Sequence, residues 1–416
     1  MARQMKDSGV EWIGQIPEEW KLSKIGAIYE ERNEKVSDTD FQPLSVTKQG
    51  VIPQLESAAK SNDSDNRKLI RKNDFVINSR SDRRGSCGIS EYDGSCSLIN
   101  TVLKPRRNMC NAYYGFVFRS ECFADEFYRW GNGIVDDLWS TKWSNMKRIY
   151  IPAPPLKEQE KIASYLDRKC SQIDAIIAKQ QQIIEKLKEY KLSVITEAVT
   201  KGLDPNVPMK DSEVEWIGMV PEEWRISRIK YICEFNPGTK KANHDVVSYA
   251  PMECVKDGYL IKKEIRHDGI STGLTSFEEG DIIMAKVTPC FENGNIAIAK
   301  DLVNKFGVGS SELFVFRAKK VNTQWLFYFL RNSIFKKLAE ATMTGTGGLK
   351  RVSPSFIRDF SLALPPEKEQ RRIIEYLDKK CMEIDRVIKY KQSAVEKLGQ
   401  YKKSLIYEVV TGKMEV

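Results

Sequence analysis

Apolar residues fall at alternating steps of three and four along two long stretches of this chain. The first stretch runs through Ile162, Leu166, Ile173, Ile176, Ile183, Leu187, Tyr190 and Val194. The second runs through Ile373, Leu377, Ile384, Val387, Ala394, Leu398, Tyr401 and Leu405. Such steps keep one stripe of an α-helix apolar, and a stripe sustained this long predicts a coiled-coil seam. Both stretches open on a proline pair, Pro154-Pro155 and Pro365-Pro366. The prolines preset the backbone for a helix start and block its extension upstream. Gly202, with Pro205 downstream, reads as the stop of the first helix. Each helix should be roughly 65 Å long at 1.5 Å per residue. Polar residues interrupt both seams at matching places, Lys169 with Lys380 and Gln180 with Lys391. Such positions cost stability but fix register. Two ordinary amphipathic helices in one core are the competing reading, and the length of the seams argues against it.

The two stretches are copies. Glu158-Gln159 returns as Glu369-Gln370, Tyr165-Leu166-Asp167 as Tyr376-Leu377-Asp378, and Glu185-Lys186-Leu187 as Glu396-Lys397-Leu398. About half of the positions are identical, which marks an internal repeat. A second repeat stands at the front of each half: Trp12-Ile13-Gly14 and Pro17-Glu18-Glu19-Trp20 return as Trp216-Ile217-Gly218 and Pro221-Glu222-Glu223-Trp224. The tryptophans read as docking anchors rather than platforms for base stacking. Two similar halves in one chain mimic a two-fold dimer, and a two-fold across paired helices makes them antiparallel. The segments are 1–151, 152–203, 204–362 and 363–416. The fold class is α+β: two mixed α/β domains with a long antiparallel two-helix coiled coil and pseudo-two-fold symmetry.

The regions between the repeats share a rhythm rather than residues. Strands are predicted at Phe75-Val76-Ile77 and Ile282-Ile283-Met284, each after a turn. A second strand follows in each, Gly115–Arg119 and Glu312–Arg317. An aromatic-rich helix comes next, Phe123 to Trp130 and Trp325 to Leu338, then a polar loop with basic residues and a last apolar strand. Each region is of ordinary domain size, roughly 130 residues.

Composition narrows the function. Charged residues make up 30% and hydrophobic ones 41% of 416, which suits a globular protein with long exposed helices. No apolar run is long enough to span a bilayer and the N-terminus has no apolar signal region, so a cytoplasmic protein is expected. Nine scattered cysteines without a Cys-x-x-Cys pair, and only His244 and His267, argue against a zinc site. No phosphate-binding loop, methyltransferase motif, metalloprotease helix or nucleophile elbow is present. A net charge of +9 permits nucleic-acid binding. The candidate DNA contacts lie on loops that follow strands: Ser79, Arg80, Arg83, Arg84 and Lys142 in the first region, and Lys286, Thr288, Thr346, Lys350 and Arg351 in the second. Arginine offers a fork to guanine edges, whereas Lys, Ser and Thr suit phosphates. Off the seam, Ile177, Ile184 and Ile195, with Ile388 and Ile406, are expected to be exposed stripes on which further helices dock. A solvated surface loop is the alternative for any one of the loop residues, and capping a neighbouring domain is the alternative for any one of the isoleucines.

The repeated Trp-Ile-Gly and Pro-Glu-Glu-Trp motifs, the Gly280-Asp281-Ile282 strand and the proline pairs leading to Glu-Gln and a long helix give this chain its resemblance. It resembles the specificity (S) subunit of type I restriction–modification systems over nearly its whole length. The resemblance implies two target recognition domains, each reading half of a split, asymmetric site on double-stranded DNA. It implies that the coiled coil sets the spacer between the half-sites and docks two methylation (M) subunits, with restriction (R) subunits joining through the complex. It further implies no catalytic centre or cofactor in this chain. S-adenosylmethionine for adenine methylation, and ATP and magnesium for cleavage, would sit on partner subunits. Asn73-Asp74 departs from the family pattern, in which Gly-Asp is usual. A nuclease or methyltransferase with an unrecognised centre, and a coiled-coil adaptor that does not bind DNA, remain the alternatives.

Overall fold

A computed structural model describes residues 3–54, 66–80, 83–106, 108–133, 139–238, 246–266 and 273–416. The chain divides into two compact units, Met1–Gln181 with Gln392–Val416, and Gln182–Lys391. Both long helices form without interruption, Leu156–Lys201 and Glu367–Val410. The division crosses each helix next to one of the polar seam positions read from sequence, Gln180 or Lys391.

The first unit is built on an antiparallel sheet in the order Cys87–Ile89, Phe75–Asn78, Asn100–Pro105, Tyr29–Glu31. Helices Asn111–Arg119 and Glu121–Arg129 bury Tyr113, Tyr114, Val117, Phe118 and Phe123 in the unit's core. Strand Tyr150–Ala153 pairs with Lys21–Lys24 and delivers the chain to the proline pair. The second unit repeats this plan with Cys233–Phe235, Leu313–Ala318, Ile282–Ala285 and Ile296–Ile298 as its antiparallel sheet. It has a further four-stranded sheet in which Val246–Ala250 and Phe306–Gly309 run parallel, where the first unit has a three-stranded antiparallel one, Gly94–Cys96, Arg67–Ile70, Lys35–Val36. Ser361–Leu364 pairs with Arg225–Arg228 before the second proline pair.

Two expectations fail here. Gly115–Arg119 is the end of a helix, not a strand, and the strand position belongs to Asn100–Pro105. A short apolar run does not distinguish the two states, and here burial at Tyr113, Tyr114, Val117 and Phe118 follows the helical period. The helix expected from Trp325 to Leu338 is two helices, Thr323–Leu330 and Ser333–Ala341. Asn332 separates them, and its side chain accepts the Phe335 N–H as an N-cap. Ser120 does the same for Phe123 in the first unit.

The repeated motifs hold each unit to its helices. Trp20 and Trp224 are fully buried, and their indole N–H groups donate to Glu158 (2.9 Å) and Glu369 (2.8 Å) in the first helical turns. A carboxylate is favoured there by the helix dipole. The adjacent glutamines are buried clamps. Gln159 accepts the Cys110 N–H and donates to the Pro154 carbonyl; Gln370 accepts the Asn322 N–H and donates to the Pro365 carbonyl. Each thereby joins a long helix to the loop that starts a domain helix.

Within each unit the paired helix segments run antiparallel. In the first unit Val410 accepts from Tyr113 in the core that holds Ile162 and Leu166, while Lys402 reaches Asp174 further along. In the second, Ile184 packs with Ile384 and Ile388, Lys191 pairs with Asp385, and Val194–Val199 share a cluster with Ile373 and Leu377. Asp174–Lys402 and Lys191–Asp385 are one contact made twice, since Asp174 matches Asp385 and Lys191 matches Lys402 in the repeat.

The seam differs from the expected one in its middle. Ile176, Ile183 and Tyr190 are exposed on the first helix, as are Val387 and Tyr401 on the second. Ile184, Ile195 and Ile388, expected to be exposed, are buried, and Ile177 and Ile406 are half-buried against the first unit's core. The adjacent pairs Ile176-Ile177, Ile183-Ile184 and Val387-Ile388 make the pattern readable in two phases one residue apart. Burial of Cys170, Ile184 and Ala198, spaced by multiples of seven, selects the second phase.

Candidate nucleic-acid interface

Strand Phe75–Asn78 starts after Asn73-Asp74, and strand Ile282–Ala285 after Gly280-Asp281. Asn73 (φ 71°) adopts the same left-handed conformation as Gly280 (φ 88°). Asparagine tolerates that region, so the sequence departure leaves the turn intact. Both aspartates are 2% exposed and each pairs with an arginine, Asp74 with Arg32 at 2.7 Å and Asp281 with Arg317 at 2.7 Å. Each also accepts a backbone N–H, from Arg71 or Glu278. The hydrogen bonds that they donate to these aspartates raise the pKa of Arg32 and of Arg317.

At the far ends of these strands the two units build the same clasp. In the first, the Ser79 N–H donates to the Ile99 carbonyl (3.2 Å), the Thr141 N–H donates to the Ser79 carbonyl (2.9 Å), and Arg80 bridges Ser140. In the second, the Lys286 N–H donates to the Glu312 carbonyl (3.0 Å), the Val352 N–H donates to the Lys286 carbonyl (2.9 Å), and Val287 bridges Arg351. Ser140 also pairs with Asn132, as Arg351 does with Thr344. Backbone pairing thus sets Ser79, Ile99 and Ser140 in the positions of Lys286, Glu312 and Arg351.

The model of the type I restriction modification DNA specificity domain matches the chain twice, over residues 17–189 and 221–395. The chain belongs to this family. Among specificity-domain relatives, the specificity subunit of the type I restriction enzyme EcoEI from Escherichia coli is 30% identical over 199 residues, 46% of this chain and 33% of that one. The chain thus spans about a third of the length of that relative, and likewise of the EcoAI specificity subunit. The putative MjaX specificity subunit of Methanocaldococcus jannaschii is 23% identical over 437 residues, 97% of this chain and 96% of that one. A chain from a solved structure described as "Structural basis underlying complex assembly and conformational transition of the type I R-M system" shares the fold, with TM-score 0.72 and 14% identity over 96% of this chain and 99% of its own.

In this specificity-domain member the predicted contacts gather at the clasps, with differences in detail. Ser79 and Arg80 are brought beside Ser140 and Thr141, next to the exposed Lys142. The Arg83 N–H donates to the Arg80 carbonyl. Arg84 folds back onto helix Glu121–Arg129, paired with Asp125 and 5.3 Å from the Tyr128 ring centre. Ser81 and Asp82 lie outside the described residues, as do His244 and His267. In the second unit Lys286, Thr288, Thr346, Lys350 and Arg351 share one locus. The Arg351 fork grips Glu312 with two bonds of 2.9 Å, and Lys286 stands 4.0 Å from the same carboxylate. The Arg351 fork holds the Glu312 carboxyl below the usual carboxylate range, and Lys286 adds to the effect. Glu312, Ile99 and Ser140 escaped sequence reading because only the shared backbone pairing shows that they are equivalent positions.

Among the described residues no helix is long and apolar enough to cross a membrane. A cavity of about 470 Å³ in the second unit is lined by charges that neutralise one another, Lys191 with Asp385 and Arg331 with Asp257.

Proposed function

We propose that this chain is the non-catalytic, sequence-reading subunit of a type I restriction–modification complex. Each unit reads one half of a split, asymmetric site on double-stranded DNA. The observation that carries this reading is the pair of clasps, with one backbone arrangement presenting Ser79, Ile99 and Ser140 in one unit and Lys286, Glu312 and Arg351 in the other. A constant frame with exchanged side chains is what reading two different half-sites requires, because base edges are distinguished by donor, acceptor and apolar groups. The helix pair sets the spacer between half-sites and docks two methylation subunits, with restriction subunits joining through the complex. Partner subunits supply S-adenosylmethionine, ATP and magnesium. Exposed Ile176, Ile183 and Tyr190 on one helix, and Val387, Tyr390 and Tyr401 on the other, support helix-on-helix docking.

The test is the methylome of cells carrying the chain with its methylation subunits, together with duplex binding by the purified complex at several salt concentrations. One split adenine-methylated motif and a salt-dependent affinity are expected. Methyl transfer or cleavage by the purified chain alone, or an affinity for the motif no better than for scrambled DNA, would contradict the reading.

A further inference from the structure

The Thr288 hydroxyl sits between the two peptide units that flank Leu349. It donates to the Gly348 carbonyl at 2.7 Å and accepts the Lys350 N–H at 2.9 Å. The Leu349 N–H donates to the Thr346 carbonyl at 3.2 Å and closes the turn. Thr344 and Arg351 exchange backbone hydrogen bonds of 3.1 and 2.8 Å at the base of the loop. Across it, Gly345 approaches so closely that a Cβ would lie 2.1 Å from the Leu349 carbonyl oxygen. The backbone is therefore fixed on both sides of a residue that is 54% exposed.

A stray leucine on a surface needs no explanation. A leucine whose loop is tied down around it is different, because its ordering cost is met before any partner arrives. Its neighbours Lys350, Arg351 and Thr346 are polar and exposed. Cations and hydroxyls suit phosphates and base acceptors, and the apolar feature that a base pair offers in the major groove is the thymine C5-methyl group. We propose that Leu349 is a specificity-determining residue that packs on the C5-methyl of a thymine in the half-site read by this unit. The inference rests on the DNA-reading function proposed above.

The experiment uses the full chain assembled with its methylation subunits and duplexes carrying the site defined by the methylome. Each thymidine of the site is replaced in turn by deoxyuridine, which removes only the methyl group. Wild-type complex should lose about fourfold in affinity at one position, the worth of one buried methyl. Leu349→Ala should bind the thymidine and deoxyuridine duplexes equally at that position with an unchanged melting temperature, and Leu349→Met should keep the discrimination. The inference is overturned if no thymidine replacement weakens wild-type binding, or if the discrimination survives in Leu349→Ala. A wild-type complex that fails to prefer the site over scrambled DNA removes the DNA-reading function itself, and this inference with it.

Discussion

The clasp of the first unit carries Ser79, Ile99 and Ser140, and that of the second carries Lys286, Glu312 and Arg351. Backbone hydrogen bonds shape both, so the side chains are free to vary. In the first unit they are small or apolar, and exposed Leu98 and Ile99 flank the strand. In the second they form a charged cluster in which Glu312 orients the fork of Arg351. Beneath them a buried aspartate anchors the strand in each unit, but its arginine comes from a different place: Arg32 follows strand Tyr29–Glu31, whereas Arg317 lies within Leu313–Ala318. The lesson is that the two units share the frame as geometry, while its chemistry is exchanged both at the buried anchor and at the clasp.

The largest expected effect tests the frame. Asp74→Asn and Asp281→Asn each break a buried, hydrogen-bonded ion pair and should cost about 3 kcal/mol of stability, read by thermal unfolding. A cost confined to one unit would break the equivalence. The helix pair offers a similar contrast between neighbours. Ile184→Glu puts a charge in a buried seam and should destabilise the chain by about 3 kcal/mol. Ile183→Glu, on the exposed face, should leave stability within about 0.5 kcal/mol while weakening sedimentation-detected assembly with methylation subunits. Equal melting curves for the two variants would contradict the seam.

Smaller effects separate reading from holding. Arg351→Ala should relax one position of one half-site by about 1–3 kcal/mol, measured by binding to single-substitution duplexes. Lys142→Ala should weaken all sequences alike and lower the salt slope by about one. The smallest effect is set by pH. Glu312 has a depressed pKa in the folded chain, so its pairing with Arg351 contributes above the ordinary carboxylate pKa and is lost as pH falls through the lowered value. The first clasp holds no acid at the matching position, Ile99. Acid titration followed by NMR should therefore shift the Arg351 side chain as Glu312 protonates, with no matching shift at Ser140.

The long helices, the docked tryptophans and the strands at Phe75 and Ile282 were legible because each rests on a local signal: period, proline placement, or a turn followed by β-branched residues. The seam was legible to within one residue, since adjacent isoleucines satisfy two phases and only packing chooses. Gly115–Arg119 misled because an aromatic run fits a strand or a buried helix equally well. The structure brings the named loop residues to two clasps, but Glu312 and Ile99 left no sign in the sequence. Their roles arise from pairing between distant segments, which leaves no local pattern. Arg84 is the converse case: its sequence neighbours point to the clasp, yet Asp125 and Tyr128 draw it onto a helix.

The central claim is that one frame reads two half-sites with exchangeable chemistry. Lys286→Ser, Glu312→Ile and Arg351→Ser, made together, would give the second clasp the side chains of the first. Methylome sequencing of cells carrying this variant with its methylation subunits tests the claim most directly. The account predicts a split motif in which one half-site is relaxed or altered while the other half-site and the spacer are unchanged. An unaltered motif, or a change in both half-sites, would contradict it.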